Sequence, residues 1–263
     1  MCPRLVPAST VDGAKGARLT SPPVSTPGRE AGAARPPRSA EACGTGPGVI
    51  TPDGCAVDFY TLMSARREPE IVHEAAGDPA ASILELGSGT GRVTGPLADF
   101  GHRVVAVDES PEMLAHITNA QTVCSRIEDL ELDERFDVVL LASHLINVPG
   151  EAERQELLAA CARHVSPNGC VIIEQHAPAW FETASESESE ADGIVFRLRD
   201  ISRPAPDLLS ATVEYEVGDR IWTQTFMART LTTDQLATSL ATAGLTFDRY
   251  LTADQTWLRA VPA

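Results

Sequence analysis

Between residues 81 and 176, nearly all-apolar runs alternate with amphipathic segments. The longer apolar runs are ASILEL, HRVVAVD, FDVVLLA and CVIIEQH, with TVCSRI as a shorter one. A strand that is apolar along its whole length must be covered on both faces, as in a parallel sheet flanked by helices. The alternation therefore predicts an α/β fold built on a parallel sheet.

After residue 176 the hydrophobic period changes. The segment LLSATVEYEV alternates strictly between apolar and polar residues, which is typical of a half-buried strand. Gly218-Asp219 follows it as a two-residue hairpin signal, with glycine first as a type II′ turn requires. This register places Tyr215, Trp222 and Phe226 on one face. We expect that aromatic face to pack onto the main domain or a dimer partner; the alternative is a wall over a bound acceptor.

Composition divides the chain into two parts. Residues 1–48 are rich in Pro, Gly, Ala and Arg with little apolar periodicity, and we expect a disordered tail. Residues 49–263 are expected to form the folded domain, with an inserted loop and antiparallel sheet at 177–230. The acidic Ser-Glu repeat within 182–192 is expected to be a solvated, mobile loop. The segment DFYTLMSARREPEIVHEAA is predicted as helix interrupted at its proline, and SPNG at 166–169 as a turn.

Charge and composition exclude several classes of function. The formal net charge is −16, and an acidic surface does not neutralise phosphates, so we expect no nucleic-acid or membrane partner. The N-terminus has no apolar signal segment, which predicts a cytoplasmic protein. Only Lys15 among the 21 basic residues is lysine, a usage typical of GC-rich bacterial genomes. The six cysteines show no spacing typical of a metal site, so we expect no metal.

The stretch ILELGSGTGRVT at residues 83–94 places three glycines between a predicted strand and a predicted helix. Such a turn lets the backbone approach a ligand closely. Arg92 occupies the position where a GxGxxG fingerprint requires its third glycine. Asp108 ends the next strand, at a suitable distance to bind the hydroxyls of a ribose. Spacing alone does not separate a dinucleotide from an adenosyl ligand.

Four segments occur in a recognisable order: ILELGSGTGRVT, VVAVDES, IEDLELDERFDVVLLASHLIN and HVSPNGCVIIEQH. In these motifs, over about residues 55–260, the chain resembles the class I S-adenosylmethionine-dependent methyltransferases. The resemblance implies a Rossmann-like, seven-stranded, mostly parallel sheet with an antiparallel final strand. It also implies an antiparallel sheet inserted between strands five and six, as in bacterial amino-sugar N-methyltransferases of natural-product pathways.

The implied reaction is methyl transfer from S-adenosylmethionine to a small-molecule acceptor, leaving S-adenosylhomocysteine. The expected setting is bacterial secondary metabolism such as antibiotic biosynthesis. We expect an amine acceptor, with O- and C-methylation as the alternatives. Two other classes stay open: a protein that binds the cofactor without transferring methyl, and a nicotinamide-dependent oxidoreductase. Arg92 and the terminal pair of strands disfavour the oxidoreductase.

The resemblance further implies which residues contact the cofactor. They are Tyr60, Glu85, Gly87, Ser88, Gly89, Gly91, Arg92, Asp108, Glu109, Ser110, Met113, Ile127, Glu128, Ala142 and Ser143. The chain departs from its relatives at Ser125-Arg126, where many of them carry Gly-Asp. The usual carboxylate partner of the adenine amine is therefore missing, which leaves Glu128 and Asp129 as its candidates.

Two histidines are candidate catalytic residues. His144 follows the fourth strand and His176 the fifth, at the carboxyl edge where ligands bind such sheets. Either one is a candidate general base or hydrogen-bond partner of the acceptor, and Glu174 is placed to orient it. The alternative for both is a partly buried histidine satisfied by the backbone. The Asn/Asp-Pro-Pro-Tyr/Phe motif of nucleic-acid amino-methyltransferases is absent, since residues 143–146 read SHLI.

Overall fold

The computed structural model describes residues 43–77 and 80–263, in which two separate sheets form. In chain order the strands are β1 (Cys43–Thr45), β2 (Ser82–Leu86), β3 (Arg103–Asp108), β4 (Gln121–Cys124), β5 (Phe136–Leu141), β6 (Val165–Glu174), β7 (Ser187–Ala191), β8 (Ile194–Ala205), β9 (Leu208–Val217), β10 (Arg220–Arg229), β11 (Leu245–Tyr250) and β12 (Trp257–Pro262). The helices are α1 (Val57–Tyr60), α2 (Glu68–Ala76), α3 (Thr94–Asp99), α4 (Pro111–Leu114), α5 (Glu151–His164), α6 (Pro178–Thr183) and α7 (Thr233–Thr242), with a 3-10 turn at Leu145–Asn147.

The main sheet has seven strands in the order β11-β12-β6-β5-β2-β3-β4. Strands β2 to β6 pair in parallel, whereas β12 runs antiparallel to both β6 and β11. Apolar residues of α5 and α7 cover one face of this sheet, and those of α2 and α3 cover the other. This cover on both faces explains why β2 and β5 are buried along nearly their whole length.

Local sequence signals account for the starts of two helices. The hydroxyl of Ser110 accepts a hydrogen bond from the Met113 amide and caps α4, which begins with Pro111. Thr232 and Gln235 form a reciprocal capping box at the start of α7. Among the described residues, no helix combines the length and the apolarity needed to cross a bilayer.

The second sheet is antiparallel, in the order β1-β10-β9-β8-β7. The predicted hairpin is confirmed, because Val217 pairs with Arg220 across a two-residue turn. Gly218 in that turn has φ 63°, the conformation that favours glycine. Trp222 lies opposite Tyr215, as the alternation predicts. Strands β7 to β10 therefore form an insertion between β6 and β11.

The acidic repeat is not a loop, and this prediction was wrong. Strand β7 pairs antiparallel with β8 at the edge of the second sheet. Arg197 on β8 forms ion pairs with Glu188 on β7 and with Glu214 and Glu216 on β9. These pairs offset the repulsion among the glutamates that made the segment look like a solvated loop.

The predicted boundary of the tail at residue 48 is also wrong. Strand β1 pairs with β10, so residues 43–48 belong to the folded part. The Trp222 indole N–H donates to the Pro47 carbonyl (2.8 Å), which holds this segment against the sheet. The predicted tail residues 1–42 lie outside the described residues.

Two further local predictions differ from the structure. The helix predicted before the glycine turn is divided into α1 and α2, and Pro69 lies in the first turn of α2. Residues 166–169 do not form a separate turn, because β6 begins at Val165 and runs through them. The segment after β6 contains α6, with Pro178 at its start, where a loop was predicted.

The aromatic face of the inserted sheet is divided between two clusters. Tyr215 stacks on Phe59 of α1 (ring centroids 3.9 Å apart), and the fully buried Trp222 packs against the same ring. Phe226 instead belongs to a cluster around Phe181 of α6. The larger part of this face therefore packs onto the segment that precedes the glycine turn.

Replacing Trp222 with Ala should destabilise the chain by roughly 3–5 kcal/mol, because it leaves a large cavity and an unpaired carbonyl at Pro47. Urea unfolding followed by circular dichroism measures the loss. Ile221→Ala is the matched control, since Ile221 is the next residue of the same strand and is 47% exposed. An equal effect of the two substitutions would contradict the packing described for Trp222.

Candidate active site

The glycine turn after β2 lies at the carboxyl edge of the main sheet. Gly87, Gly89 and Gly91 have φ values of 75°, 55° and 87°, in the left-handed region that side chains other than glycine rarely adopt. The amides of Gly87 and Ser88 both donate to the Val107 carbonyl at 2.9 Å. The turn is therefore fixed against the end of β3.

Asp108 connects this turn to the end of β3. One carboxylate oxygen, Oδ2, accepts from the Gly89 amide (2.9 Å), and the other, Oδ1, accepts from the Ser110 amide (2.9 Å). Each carboxylate oxygen can accept more than one hydrogen bond. Asp108 is half-buried and supports the turn through both of its carboxylate oxygens.

The side of the turn at Gly89 is open. A Cβ atom placed on Gly89 would meet no atom of the described residues within 4 Å. A Cβ on Gly87 would approach Leu145 at 2.9 Å and Ile127 at 3.9 Å, and one on Gly91 would meet Ile117 at 2.7 Å. The surface over Gly89 therefore admits a ligand close to the backbone, which fits the cofactor that the motif implies.

Glu85 and Arg92 lie beside the turn and make contacts within the protein. Glu85 is buried, and the Thr94 hydroxyl donates to its carboxylate (2.5 Å). Burial raises the pKa of Glu85 to about 7. Arg92 forms an ion pair with Glu68 at the start of α2, so its guanidinium links the turn to that helix.

The residues expected around the adenine lie at the ends of β3 and β4. Met113 and Ile127 are buried. Arg126 pairs with Glu128 (Nη2 to Oε1, 2.5 Å) and lies 3.9 Å from Glu109, the residue after Asp108. The structure thus brings Glu109 and Glu128 together through the arginine that replaces the usual carboxylate.

Tyr60 was expected to reach the cofactor, but its hydroxyl is directed to the inserted sheet. It donates to the Gln224 side chain (3.3 Å), and burial raises the pKa of the phenol well above its ordinary value. The Thr90 hydroxyl donates to the Tyr60 carbonyl (3.1 Å). Tyr60 therefore joins the glycine turn to β10 through its backbone and its side chain.

The chain turns sharply after β5. Ser143 and His144 have φ values of 55° and 58°, a conformation that is strained for residues other than glycine. The Ser143 amide donates to a carboxylate oxygen of Glu174 (2.7 Å), and the Asn147 amide donates to the His144 carbonyl (2.8 Å). Ala142, just before the turn, is buried.

The two candidate catalytic histidines are stacked on each other. Their ring centroids are 4.0 Å apart, and His176 stacks in turn on Trp180 of α6 at 4.5 Å. Phe226 of β10 extends the stack, with its centroid 6.2 Å from that of His176. Burial lowers the pKa of His176 to about 2, with a smaller contribution from His144. His176 is therefore neutral.

His144 has a more polar environment than His176. Its side chain is 35% exposed, and Nε2 lies 3.9 Å from a carboxylate oxygen of Glu174. Its Nδ1 atom is buried and has no hydrogen-bond partner within the described residues. Of the two histidines, His144 is thus the one whose ring lies near a carboxylate.

Sequence reasoning missed Trp180 and Asn147. Trp180 lies in a segment predicted as a loop, and the only local signal for its helix was Pro178 at the first position. Asn147 accepts from the His176 amide (2.8 Å) and donates to the Arg229 carbonyl (2.8 Å), so it connects three elements. No sequence pattern marks such a contact.

Replacing Glu85 with Gln should change the pH dependence of stability. The folded chain keeps a proton on Glu85 up to about pH 7, whereas the unfolded chain releases it near its ordinary pKa of 4.5. Wild-type stability is therefore full below that pKa and falls as the pH rises through 7. The variant should gain roughly 2–3 kcal/mol relative to wild type between pH 5 and pH 8.

Urea unfolding of both proteins at several pH values measures this difference. The exposed Glu131, replaced in the same way by Gln, serves as the control and should show no such trend. If the difference between Glu85→Gln and wild type stayed constant across the pH range, the raised pKa of Glu85 would be wrong.

Residues 84–173 match the family described as Methyltransferase domain. The cypemycin N-terminal methyltransferase of Streptomyces sp is 31% identical over 144 residues, which cover 50% of this chain and 59% of that protein. The dTDP-3-amino-3,6-dideoxy-alpha-D-glucopyranose N,N-dimethyltransferase of Streptomyces fradiae is 35% identical over 142 residues, covering 49% and 54%.

Among solved structures, the glycopeptide N-methyltransferase MtfA complexed with (S)-adenosyl-L-methionine aligns with a TM-score of 0.55 and 25% identity, over 82% of this chain and 100% of that one. The chain spans roughly half the length of the two curated relatives. The segment matched by the family contains the glycine turn, Asp108 and the strands that carry them. In residues 84–173 the chain is therefore similar to a methyltransferase domain, and its structure is similar to that of an S-adenosylmethionine-binding N-methyltransferase.

Proposed function

We propose that this chain transfers a methyl group from S-adenosylmethionine to the amine nitrogen of a small-molecule acceptor in bacterial secondary metabolism, leaving S-adenosylhomocysteine. The activities named for the two curated relatives and for the solved structure support nitrogen as the acceptor atom. They describe an N-terminal methyltransferase, an amino-sugar N,N-dimethyltransferase and a glycopeptide N-methyltransferase.

One observation carries the proposal: the open backbone at Gly89, whose amide is held by Asp108 at the end of the neighbouring strand. Gly87, Gly89 and Gly91 would hold the amino-acid part of the cofactor, and Asp108 would accept from its ribose hydroxyls. Ser110, Met113 and Ile127 would surround the adenosyl part. When bound, S-adenosylmethionine would supply a methyl group, which passes from its positively charged sulfur to an amine that has a free lone pair.

The remaining requirement is to remove a proton from the acceptor. A protonated amine has no lone pair, so a base must accept its proton before or during the transfer. We assign this role to His144, because its side chain is 35% exposed and its Nε2 atom lies 3.9 Å from a carboxylate oxygen of Glu174. Alignment of the acceptor then provides most of the rate enhancement.

His176 has a different role in this proposal. Because it is stacked between His144 and Trp180 and stays neutral, it cannot act as the base at physiological pH. We assign it to an aromatic surface that consists of His176, Trp180 and Phe226. That surface excludes water from the acceptor and fixes the His144 ring by stacking.

Replacing Asp108 with Ala should weaken binding of S-adenosylhomocysteine at least about tenfold, because a charge-assisted hydrogen bond contributes roughly 1.5–3 kcal/mol. Calorimetric titration measures the dissociation constant directly. Asp133→Asn, at an exposed position before β5, is the control and should bind as wild type does. Unchanged affinity in Asp108→Ala would refute the assignment of the ribose site.

Substitutions of the two histidines should have different effects on kcat, which can be measured once screening of amines has found a methyl acceptor. His144→Ala should lower kcat by about 10²–10⁴-fold, the usual contribution of a general base, with little effect on cofactor affinity. His176→Phe keeps a stacked ring and should retain most of kcat. Equal losses of kcat and cofactor affinity in His144→Ala would make that residue structural.

A further inference from the structure

A groove of about 520 Å³ lies between α5, α7 and the end of β10. Two arginines, Arg154 and Arg229, line this groove together with the carboxylates of Glu151, Asp207 and Asp234. The proposed cofactor and acceptor sites use none of these five residues. The groove is therefore distinct from the candidate active site, and its charged side chains have no role in the proposed reaction.

Arg154 carries a buried charge beside the groove. The residue is only 3% exposed, and its Nε and Nη2 atoms donate to the carbonyls of Ile146 (2.9 Å) and Val148 (2.7 Å). Within the described residues it forms no ion pair, and its Nη1 atom, which protein does not fully cover, makes no hydrogen bond. A buried charge without a counter-charge is costly, so Nη1 marks a position for an anionic group.

Arg229 places a second guanidinium near the first. Burial lowers the pKa of Arg154, and the charge of Arg229 lowers it further, although an arginine stays protonated at any physiological pH. The Arg229 Nε atom donates to the Pro149 carbonyl (2.8 Å), and Nη1 pairs with Asp207. Its Nη2 atom makes no hydrogen bond within the described residues. Two guanidiniums with unused donors suit a carboxylate, which accepts through both of its oxygens.

Two exposed carboxylates, Glu151 and Asp234, line the same groove. They repel a ligand that carries only negative charge. Glu151 and Arg154 are three residues apart on α5, and such residues are neighbours on a helix, with Cβ atoms roughly 5–6 Å apart. The groove thus presents a buried cation and an exposed carboxylate at a short separation. A ligand that matches both carries an anionic group and a cationic group.

We propose that this groove binds a small zwitterion, whose carboxylate contacts Arg154 and Arg229 and whose ammonium group contacts Glu151 and Asp234. A chain of three methylene groups spans the separation between neighbouring helix positions, so 4-aminobutyrate is a suitable probe. Its carboxylate engages the unused donors and offsets the buried charge of Arg154. Binding in the groove does not require methyl transfer, because these residues take no part in the proposed reaction.

Equilibrium dialysis of labelled 4-aminobutyrate against the full chain measures the dissociation constant, and competition measures those of butyrate and butylammonium. Butylammonium should bind at least about tenfold more weakly than 4-aminobutyrate, because it leaves the donors of the buried Arg154 unused. Butyrate should bind about threefold or more weakly, since an exposed ion pair contributes less. Saturating S-adenosylhomocysteine should not displace 4-aminobutyrate, because the proposed cofactor site uses other residues.

Two substitutions test the two charges separately. Arg154→Met should weaken 4-aminobutyrate binding at least about tenfold, whereas Arg163→Met, at an exposed position in the last turn of the same helix, is the control and should not. Glu151→Gln changes only an exposed side chain and should at least halve the preference for 4-aminobutyrate over butyrate. Glu131→Gln, also exposed, should keep that preference. Thermal unfolding of each variant verifies that it is folded.

Several outcomes would overturn the zwitterion site. If wild type does not bind 4-aminobutyrate, or if S-adenosylhomocysteine displaces it, the groove is not its binding site. Equal affinities for 4-aminobutyrate and butyrate would refute the role of the exposed carboxylates. Equal weakening by Arg154→Met and Arg163→Met would show a general effect of charge. If Arg154→Met does not fold, Glu151→Gln decides, and an unchanged preference in that variant would contradict the proposed contact with the ammonium group.

Discussion

The two hydrogen bonds that Asp108 accepts determine the geometry on which the whole site depends. The carboxylate holds the Gly89 amide on one side and the Ser110 amide on the other, so the turn after β2 and the start of α4 are fixed together. A glycine-rich loop can adopt many conformations, including left-handed ones. If such a loop were flexible, ligand binding would have to order it, at a cost in conformational entropy. Because Asp108 removes that freedom beforehand, the turn is already in a fixed conformation when a ligand arrives.

The parts of the fold that depend on neighbouring residues were predictable from the sequence. The hairpin at Gly218 arises from local chemistry and is confirmed, and the cap at Ser110 has an equally local origin. Strand β1 was missed because its partner β10 is distant in the chain, whereas β7 pairs with the adjacent β8 across the two-residue turn Asp192-Gly193, a local signal that was overlooked. The glutamate repeat looks like a solvated loop in the sequence, because the sequence does not show that Arg197 lies opposite Glu188. The glycine-rich segment looks like a tail, because the sequence does not show that the Trp222 indole donates to the Pro47 carbonyl.

The same division applies to the site. The glycine turn and Asp108 follow from strand ends and spacing, and the structure brings them into direct contact. The stack of His144 and His176 on Trp180 does not follow from any pattern, since it requires a left-handed turn at two residues other than glycine. Sequence can place two histidines at one sheet edge, but only the packing shows that His176 is desolvated and therefore neutral.

The family match ends at residue 173, directly before the residues that form the other half of the site. Glu174, His176 and Trp180 follow that boundary, and Phe226 comes from the inserted sheet. The cofactor half is built mainly from backbone groups and strand ends, which many sequences can provide. The residues that we propose for the acceptor side are side chains that α6 and the insertion bring together. The family match therefore covers the residues expected around the cofactor, whereas most of the side chains proposed to face the acceptor lie beyond it.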